Sequence, residues 1–199
     1  IDELTIRNVQ GNYLLRSAGQ EGKINRLVLD NIIGKEALSF LGYKGTVKQV
    51  VVGRIYGDYA LCMAGMYGEI DQLVIKQLEG NNALHKIGKE GKLKQIIVES
   101  LEGNCIGWEI EAIQAAFGRI LGDDAFYNGK IKQYAIRGIV GKEAPKGIEG
   151  NRMLDFQGFL QQYKLDEIFE LLQEKISFET AEKIYNVFID IKRKLEQLS

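Results

Sequence analysis

Proline is nearly missing from this chain, with one residue, Pro145, among 199. The first 144 residues therefore lack the one side chain that removes a backbone donor, so nothing in them forbids long uninterrupted hydrogen-bond ladders. Histidine and tryptophan occur once each, as His85 and Trp108. A single imidazole leaves little material for acid–base pairs or histidine metal centres. The two cysteines, Cys62 and Cys105, form no CxxC and show no ligand spacing, so reduced thiols are expected. An excess of one charge is missing too. The 26 Lys+Arg against 27 Asp+Glu leave a net charge of −1, which gives no electrostatic ground for a nucleic-acid partner or an anionic membrane surface. No apolar run approaches the ~20 residues that span a bilayer, and no signal-peptide pattern opens the chain. The expectation is a cytoplasmic protein with no membrane or nucleic-acid partner, no cofactor and no metal.

Glycine is what the chain has in excess, with 23 residues, and many fall on a period. Gly11, Gly34, Gly57, Gly80 and Gly103 are 23 apart. Gly19, Gly42, Gly65 and Gly88 repeat that spacing, as do Gly22, Gly45, Gly68 and Gly91. Each unit closes on a short β-branched run: Leu27-Val28-Leu29, Val50-Val51-Val52, Leu73-Val74-Ile75, Ile96-Ile97-Val98. Runs of this kind, bounded by glycine or charge, read as strands. After Gly103 the unit glycines are Gly122 and Gly141, each 19 residues on, as though four residues were deleted between the first and third glycine columns. The segment Trp108 to Phe117 reads either as a distorted coil or as a short lateral helix, with Trp108 expected to fill a widened core.

A hairpin fold needs reversal signals, and Asn128-Gly129 is the only such dipeptide. Parallel strands stacked coil upon coil fit better, because identical positions then form columns and each coil bonds to the coils on either side. The expected fold is an all-β solenoid. It is a single-stranded parallel β-helix of about seven coils over residues 1–152, followed by a C-terminal α-helical hairpin over residues 153–199. The hexapeptide signature of left-handed helices is missing, which favours the right-handed form. Gly11, Gly34, Gly57, Gly80, Gly103, Gly122 and Gly141 are expected at coil corners, where φ > 0 suits glycine.

The segment Gly57-Asp58-Tyr59-Ala60 followed by Ala64-Gly65-Met66-Tyr67-Gly68-Glu69-Ile70 resembles the repeated motif of GXGXG-type β-helix domains. That family includes the C-terminal domain of glutamate synthase large subunits and one of the subunits of formylmethanofuran dehydrogenase. The likeness covers roughly residues 7 to 150, but only the third unit carries the Met. Glu69 and Lys92 stand where the family has a second glycine. The resemblance implies a structural or assembly domain beside a catalytic partner, with no active site in the β-helix.

From Met153 the period becomes helical. Ser177 suits an N-cap, and Ile184, Phe188, Ile191, Leu195 and Leu198 form one stripe that reads as a cap on the rod or a self-association face. A protein partner or a homo-oligomer is therefore expected. His85 shares a column with Arg16, Ser39 and Cys62 and is expected to be solvated. Asn12, Asp58, Asn81, Asn104 and Asp123 follow the unit glycines and are expected to bond their own turns. Asp123-Asp124 is an adjacent carboxylate pair in the solenoid. Without a third aligned carboxylate it makes a carbohydrate-active β-helix enzyme the secondary reading. Arg54 and Arg119, each directly after a glycine, read as exposed partner contacts. The primary expectation is a non-catalytic scaffold or assembly subunit.

Overall fold

The closing run of each repeat forms a strand, and the strands stack in chain order. The computed structural model describes residues 1–142 and 148–152, within the unit Ile1–Arg152. Its strands are β1 (Glu3–Gln10), β2 (Lys23–Ile33), β3 (Thr46–Tyr56), β4 (Glu69–Glu79), β5 (Lys92–Glu102), β6 (Glu111–Leu121), β7 (Lys130–Val140) and β8 (Glu149–Arg152). All eight lie in one parallel sheet ordered β1 to β8. Leu27 pairs with Val50 and Val50 with Leu73, the 23-residue period; Ile97 pairs with Ala116 and Ala116 with Ala135, the 19-residue period. The architecture is a parallel β-solenoid. It makes six complete turns between Gly11 and Val140, not about seven, because the coil that starts at Gly141 runs into residues outside the description. Among the described residues there is no helix, so Trp108 to Phe117 is not a lateral helix. The expected C-terminal hairpin, with Ile184, Phe188, Ile191 and Leu195, lies outside the described residues.

In β2 to β7 both faces carry buried residues. Leu27 and Leu29, with their successors Val50, Val52, Leu73, Ile75, Ile96 and Val98, fill the shared core. The residue between them in each coil (Val28, Val51, Val74, Ile97, Ala116 or Ala135) is at most 3% exposed yet stands outside that core, on the opposite side of the pleat. Burial on two faces explains why these runs are continuously apolar. In the shorter coils the core is refilled by substitution: Ala115 is small where Ile96 stood, and Phe117 packs on Phe126 with centroids 4.5 Å apart.

The other side of each coil is a ribbon of overlapping turns. In the coil from Gly34, the N–H groups of Ser39, Leu41, Tyr43 and Gly45 donate to the carbonyls of Glu36, Leu38, Phe40 and Gly42. The residues at the third turn position, Leu38, Phe40, Gly42 and Lys44, have φ of 57°, 58°, 66° and 51°. These are type II turns, each sharing two residues with the next. The alternate N–H groups point along the rod, first one way and then the other. Glu36 donates to Asp58 in the following coil, Leu38 to Leu14 in the preceding one, Phe40 to Cys62 ahead and Gly42 to Ala18 behind.

Positive φ is therefore not a glycine privilege here. Twenty-one described non-glycine residues, among them Leu38, Phe40, Leu61 and Phe126, hold φ between 51° and 61°. Each such residue costs roughly 1–2 kcal/mol, a penalty that inter-coil bonding and burial offset. The opening glycines differ in kind. Gly11, Gly34, Gly57, Gly80, Gly103, Gly122 and Gly141 have φ of 140° to 159°, a region other residues scarcely enter. At Gly57 an added Cβ would lie 2.1 Å from the Gly34 carbonyl oxygen. In the third column, Gly45, Gly68 and Gly91 have a different reason to be glycine. Gly45 has no positive φ; it is glycine because a Cβ would lie 2.1 Å from the Gly19 carbonyl oxygen.

The alternation explains why the period drops by four. Two turns, four residues, return the N–H direction to its starting sense. In the short coils Cys105 donates ahead to Asp123, Gly107 behind to Ala83, Glu109 ahead to Tyr127 and Glu111 behind to Ile87. A loss of two residues would reverse every bond downstream. At the step itself the Glu90 N–H has no coil ahead to meet, and the Glu111 carboxylate accepts it at 3.1 Å.

Gly57→Val should accordingly lower stability by at least about 3 kcal/mol in urea denaturation followed by circular dichroism. Gly138→Ala, where nothing lies within 4 Å of an added Cβ, should change it by less than about 0.5 kcal/mol. Deleting residues 87–90 gives the coil from Gly80 the spacing of the coil from Gly103, moving the step back one coil, and cooperative melting should survive. Deleting only Lys89 and Glu90 should abolish it.

Candidate functional site

Polar side chains on the solenoid fall into two groups, those used between coils and those facing outward. The Asx column belongs to the first. Asn12 accepts the Lys35 N–H at 3.0 Å, Asp58 that of Asn81 at 2.8 Å, Asn81 that of Asn104 at 3.0 Å, and Asn104 that of Asp123 at 3.0 Å. Asp123 in turn accepts the Lys142 N–H at 2.6 Å. These residues were expected to bond their own turns. They bond the next coil instead, because the extended glycine before them leaves the following N–H directed along the rod. On the strand side, Gln49 donates to Gln72 at 2.8 Å, Gln95 to Gln114 at 2.9 Å and Gln114 to Gln133 at 3.0 Å. A glutamine ladder of this kind ties coils through side chains that are both donor and acceptor. Sequence reasoning missed it, although Gln49, Gln72, Gln95, Gln114 and Gln133 keep the unit spacing.

The column containing His85 differs from its expectation. Ser39 and Cys62 are buried, and His85 is half-buried with its ring stacked on Trp108, centroids 5.6 Å apart and planes 21° apart. Burial, aided by the neighbouring Lys86 charge, holds the imidazole below its ordinary pKa. The shift favours the neutral imidazole. Trp108 does not fill the core. It sits half-buried on the ribbon, edge-to-face with Tyr127 at 5.7 Å and 88°. The core vacancy expected for it is occupied by Phe117 and Phe126, both fully buried. Trp108, Tyr127, Cys105 and Asp124 line a cavity of about 280 Å³.

A second recess, about 580 Å³, opens where the period shortens, and Lys92, Leu93, Glu111, Ala112, Lys130 and Ile131 contribute to its wall. It exists because Lys92 and Leu93 project past the shortened coil, and the pairing of β5 with β6 begins only at Gln95. Ion pairs join neighbouring coils nearby. Glu109 pairs with Lys89 and Lys86, and the Lys89 bond holds its carboxyl below the ordinary range. Lys94 bridges Asp71 at 2.6 Å and Glu69 at 2.9 Å. On the strand side Glu99 is driven the other way, since burial raises its pKa against the pull of Lys76 and Arg137.

Arg54 and Arg119 are exposed, as expected, on the row shared with Gln77 and Ser100. Asp124 lies in the Trp108 cavity whereas Asp123 is engaged by Lys142, so the adjacent carboxylates do not face one site. Among the described residues no group of three or more His, Cys, Asp or Glu is placed to hold a metal ion, and no helix is long and apolar enough to cross a membrane. Compared with known proteins, the chain matches no family model, no curated protein and no solved structure. The likeness to GXGXG-type domains therefore stands on the motif residues alone.

The two thiols are separated by environment. Both are free; Cys62 is buried and its pKa is pushed up to about 11, mainly by burial and then by Glu36, whereas Cys105 is half-buried at the cavity. Because the thiolate is the reactive form, iodoacetamide at pH 8 should alkylate Cys105 first, with Cys62 at least about 100-fold slower. The Cys62 rate should rise about tenfold per pH unit as the pH climbs toward its pKa. Mass spectrometry of the Cys105→Ala variant isolates the slow site.

Proposed function

We propose that this chain is a non-catalytic β-helix scaffold, an assembly subunit that presents its turn ribbon to a protein partner. The observation that carries the reading is the placement of its exposed aromatics. Tyr13, Tyr59, Tyr67 and Tyr127 are all exposed, and all lie on the ribbon. Two carry cations beside them: Arg16 lies 5.5 Å from the Tyr13 ring centre and Lys35 lies 5.6 Å from that of Tyr59. Tyrosine with arginine is the composition of protein-binding surfaces, where rigid amphipathic rings bury area at low entropic cost. The polar columns described above are occupied between coils, which suits a rod whose partners meet its surface side chains.

The resemblance to GXGXG-type domains supports the same reading, with a catalytic protein as the partner. The finer form of the proposal is a right-handed helix, cytoplasmic, with its seventh coil started at Gly141. In it the C-terminal helical hairpin carries Ile184, Phe188, Ile191 and Leu195 as a capping or self-association stripe. Affinity capture from the native host, with the complex sized by light scattering, tests it. A stoichiometric partner or a homo-oligomer supports the scaffold, whereas a lone monomer, or turnover of a polysaccharide, overturns it. Tyr59→Ser with Tyr67→Ser should weaken partner capture at least about tenfold while leaving the melting temperature within a few degrees.

A further inference from the structure

We infer that the recess walled by Trp108, Tyr127, Asp124 and Cys105 binds an alkylated ammonium group. Such a site does not depend on the scaffold reading. Its first support is geometric. Trp108 and Tyr127 occupy the same position in successive coils, and their planes stand 88° apart with centroids 5.7 Å apart. Two aromatic walls at a right angle offer a cation a ring face and a second π-system at once, the arrangement by which aromatic cages hold quaternary ammonium. Asp124, three residues before Tyr127, adds a carboxylate to the same cavity. None of the four lining residues is cationic, so no internal Lys or Arg fills the place of the ligand.

The surroundings also suit a cation. The far side of Trp108 is covered by His85, nearly parallel to it, and burial favours the neutral form of that ring. A charged imidazolium there would draw on the same π density, and burial disfavours it. The indole Nε1 is buried with no hydrogen-bond partner. An unpaired buried donor is costly, so this position holds an indole in spite of its N–H, for its large ring face. A cavity of about 280 Å³ lies just below the ~300–1,000 Å³ of drug-sized ligand sites. It has room for a trimethylammonium head and a short tail.

The head group has two sources, a free choline-like metabolite or a trimethylated lysine on another protein, and both share this chemistry. Trp108 is the only tryptophan in the chain, so its fluorescence reports this recess directly. The full chain is titrated with tetramethylammonium, choline and a trimethyl-lysine peptide, against sodium chloride and 3,3-dimethylbutan-1-ol, the neutral isostere of choline. The expected result is a saturable change at millimolar ammonium, with choline at least about fivefold tighter than the isostere. Asp124→Asn, which suits the positive φ of 54° at this position, and Tyr127→Leu should each weaken binding about fivefold or more. Whichever of choline and the peptide binds more tightly identifies the source, and either order supports the site. The inference is overturned by no saturable change up to about 0.1 M ligand, by equal binding of the neutral isostere, or by unchanged affinity in both variants with the melting temperature retained.

Discussion

Everything in this solenoid depends on backbone N–H groups that point alternately up and down the rod. In an ordinary parallel sheet the strand alone supplies that alternation. Here the turns continue it around the rest of the coil, through donors such as Glu36 to Asp58 and Leu38 to Leu14. The consequence is that each coil is bonded to both neighbours around nearly its whole circumference. That continuity lets leucine, phenylalanine and lysine sit in the left-handed region coil after coil. The penalty is local to each residue, whereas the bonds that offset it need the whole coil in register.

The same constraint governs the step. A solenoid could taper gradually if its turns bonded only within a coil. This one shortens by two whole turns, and the uncovered N–H of Glu90 is taken by the side chain of Glu111 instead of by backbone. Core composition follows, with Ala115 in the column of Ile96 and the Phe117–Phe126 pair filling the narrowed lumen. Geometry along the axis decides coil length, and the core adapts to it.

Much of the fold was legible because glycine at a fixed period, with β-branched runs in phase, suits hardly any architecture but stacked parallel coils. The registers of 23 and 19, the strands and the opening glycines could be read from residue spacing. What could not be read was the ribbon. Nothing in the types of Tyr13, Leu38, Met63 or Phe126 announces positive φ, since single-residue preference points the other way and only inter-coil bonding reverses it. Trp108 was misassigned for a related reason. Inward and outward positions alternate in a four-residue period on the ribbon, with Ala37, Leu38 and Leu41 inward and Glu36, Phe40 and Lys44 outward, a pattern that neither strand nor helix periodicity anticipates. The outer face, where His85, Trp108 and Tyr127 meet, was therefore invisible until three coils were stacked. The Asx column was recognised as a column but given the wrong partner, because a local turn and an axial bond call for the same residue types.

Function on such a rod has limited places to reside. The lumen is packed, with Leu27, Leu61, Ile96 and Phe126 fully buried, and the strands expose mostly polar side chains such as Arg54 and Arg119. The Asx and glutamine columns join neighbouring coils. The other place is the ribbon, where some left-handed positions, such as those of Leu61 and Phe126, turn into the lumen while others project without belonging to an axial ladder. Tyr13, Tyr59, Tyr67 and Asp124 all occupy such positions. A residue there can change identity without disturbing the bonds beneath it, provided the backbone register holds. The ribbon thus separates the two demands on the sequence: its backbone keeps the coils together, and its outward side chains are free to carry recognition. The aromatic recess beside the shortened period shows how little is needed to turn that freedom into a shaped site. One indole, one phenol and one carboxylate on two adjacent coils suffice, because the stack below holds them in place.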